Sequence, residues 1–194
     1  GGQYTYCTKN IGNQLMLRPH LRLQQFELHQ RIGIGGDGEV WRVRCSKGKE
    51  YALKARPENQ HIQSFRKEFE RLRILRLPHI IRVHEMGIDK GYVFYTMDLV
   101  RGIHFHQAIQ ESNSFEEKIN LCIQLSLQLS LALSAMHDFG LVHLDLKPNN
   151  VMVSKDNKVT LLDFGQACSL GEIQLQNNPI GTLAYMSPEQ RISH

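Results

Sequence analysis

Cysteine is scarce and dispersed in this sequence. The four cysteines, Cys7, Cys45, Cys122 and Cys168, form no Cys-x-x-Cys pair, which argues against a zinc site. Dispersed free thiols are typical of a reducing compartment, so the sequence predicts a cytoplasmic protein.

Long apolar runs and blocks of one charge are lacking as well. The most apolar stretch, 121–136, is interrupted by two glutamines and three serines, so no membrane span is expected. The chain does not open with a basic start and an apolar run, so no signal peptide is expected. A formal net charge of +4 without a basic block gives no indication of nucleic-acid binding. The 194 residues are 41% hydrophobic and 22% charged, which is ordinary for one folded domain or two small lobes.

The patterns of strands and helices divide the chain into three parts. Residues 1–25 are polar and irregular, and are interpreted as an N-terminal extension. Residues 26–100 are β-rich with one helix, and residues 101–194 begin helical. Strands are predicted in 26–45 (two, around a glycine-rich turn), 50–56, 80–88, 92–100, 151–153 and 159–162, and a helix over 64–77.

Residues 123–133 give conflicting signals. Apolar and polar residues alternate there until Leu131, which taken alone indicates a strand. A helical stripe is also present, formed by Ile119, Cys122, Leu129, Leu133 and Met136. The region is too long for an ordinary strand, and few of its residues are β-branched. We predict a helix, a prediction that also draws on the family resemblance described below.

The segment 143–150, His-Leu-Asp-Leu-Lys-Pro-Asn-Asn, carries the densest chemistry. Asp145 is a candidate base for a hydroxyl proton, Lys147 lies two residues later as a phosphate neighbour, and Asn150 offers a magnesium-binding amide. We expect a structural role for His143. These residue types are those that phosphoryl transfer requires.

A second acid follows at Asp163, in Asp-Phe-Gly at 163–165. Eighteen residues separate it from Asp145, which is enough for the short hairpin that would bring both acids to one cleft. We expect Asp163 to bind the metal ion that bridges the phosphates.

Two further motifs precede these acids. Residues 33–40 fit G-x-G-x-x-G-x-V, a glycine-rich turn that lets backbone approach phosphate. A dinucleotide fold would need a helix next, whereas a strand follows, which favours a loop over ATP.

Lys54, in Tyr-Ala-Leu-Lys, is a candidate phosphate ligand steadied by a helix acid, either Glu68 or Glu70. Glu68 is favoured because it lies one turn before Leu72 on the same helix face.

These motifs together resemble the eukaryotic-type serine/threonine protein kinase family, from about residue 26 to 194, and Ser-Pro-Glu-Gln at 187–190 is similar to many bacterial members. The resemblance implies an α+β, bilobal fold with a β-rich N-lobe (26–100) and a partial, mostly helical C-lobe (101–194). It implies ATP and Mg²⁺ as cofactors and a protein substrate bearing serine or threonine. The implied catalytic residues are Asp145, Lys147, Lys54, Glu68 and Thr182, and the implied metal ligands are Asn150 and Asp163. The implied nucleotide contacts are Gly33, Ile34, Gly35, Gly36, Gly38, Val40, Ala52, Lys54, Met97, Asp98, Val100 and Met152.

The same resemblance places Met97 at the gatekeeper position and 98–100 at the hinge, and it implies an apolar column that links the lobes. That column would consist of Leu72, Val83, His143 and Phe164.

Three departures from the family pattern stand out. Leu144 replaces the arginine that usually precedes the catalytic aspartate, and Ser169 is the only hydroxyl residue between Gly165 and Gly181. Control other than loop phosphorylation is therefore expected. Ser187 replaces an alanine, which is a minor change. The sequence ends five residues after Glu189, before the family's remaining helices, so we expect an exposed apolar surface that favours self-association or a partner chain.

Two other functions fit the same residues. A kinase-shaped scaffold could bind nucleotide or a partner without transfer, which Leu144 and the early end favour. A small-molecule kinase of the aminoglycoside type would share the fold, but typically lacks the lysine and the Ser-Pro-Glu segment found here.

Overall fold

The computed structural model describes residues 16–35, 38–58, 62–173 and 180–191. Its first half is a six-stranded antiparallel sheet with one helix, α1. The strands are β1 (Arg22–Leu23), β2 (Phe26–Gly35), β3 (Gly38–Cys45), β4 (Glu50–Pro57), β5 (Val83–Asp89) and β6 (Tyr92–Met97), in the spatial order β1-β2-β3-β4-β6-β5, and α1 is Ile62–Ile74.

The second half is mostly helical with short strand pairs. Its helices are α2 (Phe105–Gln110), α3 (Phe115–Asp138), α4 (Leu170–Ile173) and α5 (Pro188–Arg191). Its strands are β7 (Gly102–His104), β8 (Leu141–Val142), β9 (Val151–Ser154), β10 (Val159–Leu161) and β11 (Cys168–Ser169). Two 3₁₀ turns, Pro148–Asn150 and Leu183–Tyr185, complete it. The predicted α+β class with a β-rich first lobe is confirmed.

The sheet begins earlier than the sequence indicates. Arg22 and Leu23 pair with β2, and Leu17 and Leu23 are buried in the core beneath it. The predicted irregular extension therefore needs correction over its last residues: burial of Leu17 and Leu23 brings this short strand onto the sheet edge.

Tight turns set the register of the predicted hairpins. Lys90 and Gly91 both have positive φ, 50° and 76°, which is the type I′ geometry that matches the twist of paired strands. β9 and β10 pair from Val151 opposite Leu161 to Val153 opposite Val159. This second hairpin lies between the two acid motifs, where the sequence predicts one.

The predicted helix over residues 123–133 is confirmed as part of α3. Ser114 begins it, since its Oγ accepts a hydrogen bond from Glu117 N at 3.1 Å while the Glu117 carboxylate accepts from Ser114 N. Gly140, with φ 68°, lies just beyond its end. Leu125, Ala132 and Met136 face the core.

Among the described residues, only α3 has the length and composition that could cross a membrane, a test that core helices of water-soluble proteins also pass. Gln128 ties α3 to the β9–β10 hairpin, donating to Asn157 O at 2.7 Å and accepting from Val159 N at 3.0 Å. These bonds make the helix a support for the hairpin between the acid motifs.

The main core runs through both halves. It joins side chains of α1 and β6 to those of α3 and the β9–β10 hairpin, with Phe65, Tyr95, Leu125, Leu161 and Phe164 fully buried. A second core fills the outer face of the sheet around Phe26, Trp41 and Phe94. The site residues lie where the two halves meet.

Candidate active site

Lys54 lies at the centre of a buried charge cluster. β4 places it between Val40 of β3 and Tyr95 of β6. Its Nζ donates to Glu68 Oε1 at 2.8 Å and to Asp163 Oδ1 at 3.2 Å. An ammonium group that holds acids from two distant segments can attract phosphate to the same point.

Glu68, and not Glu70, contacts Lys54. Glu68 is 3% exposed on the inner face of α1, and its Oε1 also accepts from the Tyr95 hydroxyl at 2.9 Å. Glu70 faces outward and pairs with Arg73 at 2.8 Å. Burial raises the pKa of the Glu68 carboxyl, and the Lys54 ammonium and the hydroxyl bond oppose that rise.

Asp145 is held from both sides of its carboxylate. Oδ1 accepts from Thr182 N at 2.8 Å and from Thr182 Oγ1 at 2.6 Å. Oδ2 accepts from Lys147 Nζ at 2.7 Å, and that ammonium also donates to Thr182 Oγ1 at 2.8 Å. Asp145, Lys147 and the distant Thr182, all predicted to be catalytic, therefore form one hydrogen-bonded unit.

These contacts set the ionisation of Asp145. Burial alone would raise the pKa of its carboxyl, but hydrogen bonds from Lys147 and Thr182, with the Lys147 charge, outweigh burial and lower it. The carboxylate is therefore ionised at neutral pH, as an acceptor of a hydroxyl proton must be.

Asn150 connects the two acid motifs. Its Nδ2 donates to Asp145 O at 2.8 Å, and its own carbonyl accepts from Leu162 N, next to Asp163, at 2.7 Å. Together with the Lys54–Asp163 bond, this connects the distant Lys54 with Asp163, Asn150 and Asp145.

The donor set at Asn150 and Asp163 fits magnesium. An amide offers its oxygen to a metal ion, and the Asn150 nitrogen is already used in a hydrogen bond to Asp145 O. Burial would raise the pKa of Asp163, but the Lys54 charge and the Gly165 amide outweigh it and lower that pKa, so the carboxylate is ionised. No cluster of three acids, histidines or cysteines forms in the described ranges. One carboxylate, one amide oxygen and phosphate oxygens are how Mg²⁺ is usually held.

The described residues of the glycine-rich motif end β2 and begin β3. Gly33, Ile34 and Gly35 end β2, and Ile34 is 71% exposed. Gly38 begins β3 with φ 117°, and a Cβ there would lie 2.3 Å from Ala55 O, so only glycine fits. Gly36, predicted to contact nucleotide, falls outside the described residues.

The residues predicted to surround adenine lie on adjacent strands of the six-stranded sheet, on the segment after β6 and, for Met152, on a separate three-stranded sheet. Ala52 pairs with Met97, where β6 ends, and Val40 lies one strand away, opposite Lys54. Met152 lies on β9 opposite His104. Asp98 and Val100 follow β6 directly, and His84 Nε2 lies 2.7 Å from Asp98 Oδ1.

The predicted apolar column is buried throughout. Leu72, Val83 and Phe164 belong to the main core, and His143 is 3% exposed with its ring 5.1 Å from that of Phe164. Its Nε2 lies 3.4 Å from Leu162 O, and Asp145 N donates to its Nδ1 at 3.3 Å. His143 therefore supports the loop, as expected.

Two contacts of the site have no signal in the sequence. Tyr95 looks like one more apolar strand residue, yet its hydroxyl binds Glu68. Gln190 Nε2 donates to Leu144 O at 2.9 Å and to Ile180 O at 3.2 Å. Leu144 has φ 61°, a region unusual for leucine, and this bond holds the strained turn before Asp145.

Residues 26–192 match the family described as protein kinase domain. The chain is 33% identical over 175 residues to serine/threonine-protein kinase Nek3 of rice, Oryza sativa subsp. japonica, covering 86% of this chain and 30% of the relative. It is 29% identical over 174 residues to a protein named a probable serine/threonine-protein kinase in Clostridium perfringens (86% and 25%). It is 29% identical over 173 residues to serine/threonine-protein kinase AtPK1/AtPK6 of Arabidopsis thaliana (86% and 37%).

The chain thus spans only about a quarter to two fifths of the length of these curated relatives. They come from plants and from bacteria alike, so the predicted bacterial branch stays a prediction.

Proposed function

This chain belongs to the protein kinase family, and from that premise we propose that it transfers the γ-phosphoryl group of ATP to serine or threonine hydroxyls of protein substrates. The observation that carries the proposal is the joined cluster of Lys54 with Glu68 and Asp163, and of Asp145 with Lys147 and Thr182. The relatives' names as serine/threonine kinases support it.

Different residues of the chain have different roles in such a transfer. Lys54, steadied by Glu68, binds phosphate oxygens, and the glycine-rich turn covers them. Asp145 orients the substrate hydroxyl and accepts its proton, and Lys147 offsets charge on the moving group. Asn150 and Asp163 would hold Mg²⁺, which neutralises phosphate charge when bound.

The test is ³²P transfer to a generic basic protein. Asp145→Ala and Lys54→Ala should each lower the rate by about 100-fold or more, since each removes a group needed in the transition state. Lys155→Ala and Asp156→Ala are matched controls, because both side chains are exposed in the β9–β10 turn. Equal rates in all five proteins would contradict catalysis by these residues.

A scaffold that binds nucleotide without transfer is the second candidate. Thr182 caps Asp145 Oδ1 with two hydrogen bonds, so a substrate hydroxyl must share or displace them. Binding of a nonhydrolysable ATP analogue, without transfer by the unaltered protein to any basic substrate, would favour this function.

We also propose that the chain self-associates through α3, with a partner chain as the alternative. Five large apolar side chains form a stripe along the outer side of α3 at four-residue spacing: Phe115, Ile119, Ile123, Leu127 and Leu131. Between 44% and 80% of each is exposed. A continuous apolar stripe of this size favours association with another surface.

A further inference from the structure

Glu172 of α4 reaches across to α1. Its Oε2 and Oε1 accept from Arg71 Nη2 at 2.8 and 3.0 Å. Lys67, one turn earlier on α1, lies 3.5 Å from Oε1. Two cations of one helix face therefore meet a single carboxylate that follows the Asp-Phe-Gly motif.

Ser169 fixes that carboxylate in place. Its backbone N donates to Glu172 Oε2 at 2.9 Å, and its hydroxyl donates to the same oxygen at 3.2 Å. The Ser169 amide bond and the Arg71 charge lower the pKa of Glu172 against the opposing effect of burial. The acceptor for Arg71 is therefore ionised, and its bonds to Ser169 fix its orientation.

The ion pair between Arg71 and Glu172 is partly shielded from solvent. The Arg71 side chain is 17% exposed and that of Glu172 is 35% exposed, whereas Lys67 is 64% exposed. Solvent and salt screen a partly buried pair less than a surface pair. Arg71 carries most of the attraction, and Lys67 adds little.

The position of Arg71 relates the pair to the nucleotide site. Arg71 lies three residues after Glu68 on α1, about one helical turn along the same side. Besides Glu68, whose carboxylate binds Lys54 and Tyr95, the buried side chains of α1 are Phe65, Phe69 and Leu72, whose apolar packing is not directional. A directional contact at Arg71 limits rotation and sliding of the helix at the level of Glu68.

Glu172, the second partner of the ion pair, lies just after β11, and β11 pairs with the strand that leads to Asp145. β11, which contains Ser169, pairs with β8 at Leu141–Val142, directly before His143. The Arg71–Glu172 pair therefore connects α1 with the strand that leads into Asp145.

We infer that Arg71 and Glu172 are positioning residues whose ion pair fastens α4 to α1 and thereby holds Glu68 against Lys54. The inference rests on the proposed function, since it concerns the same phosphate-binding lysine. It also explains two features of the sequence: Leu144 stands where the family usually has an arginine, and Ser169 is the only hydroxyl residue between Gly165 and Gly181. Glu172 already supplies the negative charge that binds Arg71 of α1. No phosphorylated residue is therefore needed in this segment to attract α1.

The experiment compares Glu172→Gln, Arg71→Gln and the double variant with the unaltered protein. Three quantities are measured: kcat and KM for ATP in transfer, affinity for a nonhydrolysable ATP analogue, and amide hydrogen exchange of residues 62–74. Glu70→Gln is the matched control, because Glu70 forms an ion pair of the same length with Arg73 within α1.

Each single variant should lower kcat/KM by about fivefold or more, the usual lower range for coupling between sites. Exchange in 62–74 should be faster, since α1 loses an anchor. The double variant should be no worse than either single one, because both remove the same contact. Glu70→Gln should match the unaltered protein in all three measurements.

Unchanged exchange and unchanged analogue affinity in Glu172→Gln would overturn the inference, as would strictly additive losses in the double variant. Equal losses in Glu70→Gln would overturn it too. If the unaltered protein transfers no phosphate, the proposed function fails, and the exchange and affinity measurements still decide the role of the ion pair.

Discussion

Single residues of the candidate active site are held by neighbours that satisfy their charge. Lys54 and Glu68 are 6% and 3% exposed, and an ion so deeply buried is tolerated only with good partners. Tyr95 supplies one of them by donating to Glu68. Its ring lies between those of Phe65 and Phe69 at centroid distances of 4.9 and 5.7 Å, so the hydroxyl is aimed by packing.

His143 makes the stability of the protein depend on pH. Burial lowers the pKa of its imidazole below the usual value of about 6.5, against the opposing Leu162 carbonyl and nearby acids. Below that pH the unfolded chain takes up a proton that the folded protein does not. The free energy of unfolding should therefore fall as pH decreases from about 6.5, by at most about 1.4 kcal/mol per pH unit.

Urea unfolding between pH 7 and about pH 5 measures this slope, with His143→Gln as the comparison. The pKa values of Asp145 and Asp163 are lowered in the folded protein. The stabilisation that their carboxylates contribute is therefore lost only as pH falls below about 4. The slope of His143→Gln should be smaller in this window. Parallel curves for the two proteins would show that His143 is not responsible.

Capping residues set where helix α3 begins and ends. α3 begins at a reciprocal pair between Ser114 and Glu117 and ends before Gly140. Between these limits the apolar and polar residues of 123–133 alternate in large part, as a strand would. The helix forms because its start is capped and its inner positions, Leu125, Ala132 and Met136, meet one core.

Loss of the cap should be measurable. Ser114→Ala removes the acceptor for Glu117 N and should lower the free energy of unfolding by about 1 kcal/mol. Ser130→Ala is the matched control, since Ser130 lies within α3, is exposed and bonds only back to Ser126 O. Its change should stay within about 0.5 kcal/mol. Equal effects of the two substitutions in chemical denaturation would contradict the importance of the cap.

Local pattern predicted most elements to within a few residues. The glycine-rich hairpin, the strand carrying Lys54 and the β9–β10 hairpin all appear where turns and alternation indicate them. The shortest elements were not predicted: β1, β7, β8, β11, α2, α4 and α5. For β1, only the completed sheet shows what Leu17 and Leu23 contact. A strand of two residues carries too little periodicity to be recognised.

The whole molecule presents one side of α3 without cover among the described residues. Its inner side packs on the hairpin that separates Asp145 from Asp163, so α3 supports the site while its outer stripe faces solvent. The two sides of one helix therefore differ: the inner side packs against the hairpin between the two acid motifs, and the outer side is the one through which we propose association.

The chain studied alone should self-associate through that stripe. Leu127→Ser combined with Leu131→Ser should lower the average mass measured by light scattering at high concentration, because both side chains are more than 60% exposed. Ile74→Ser is the matched control, an equally exposed apolar residue at the end of α1. A monodisperse monomer before any substitution would defeat the proposal.

The sequence by itself determined which chemical groups this protein has and in what order, because the glycine-rich turn, Lys54, the Asp145 segment and Asp163 belong to short motifs with fixed spacing. Only the tertiary structure decided which groups meet. Lys54 and Asp163 are 109 positions apart and Arg71 and Glu172 are 101 apart, so no local pattern relates them. The packing of α1 and the sheet against the second half brings them together, and it sets which side of α3 is left exposed.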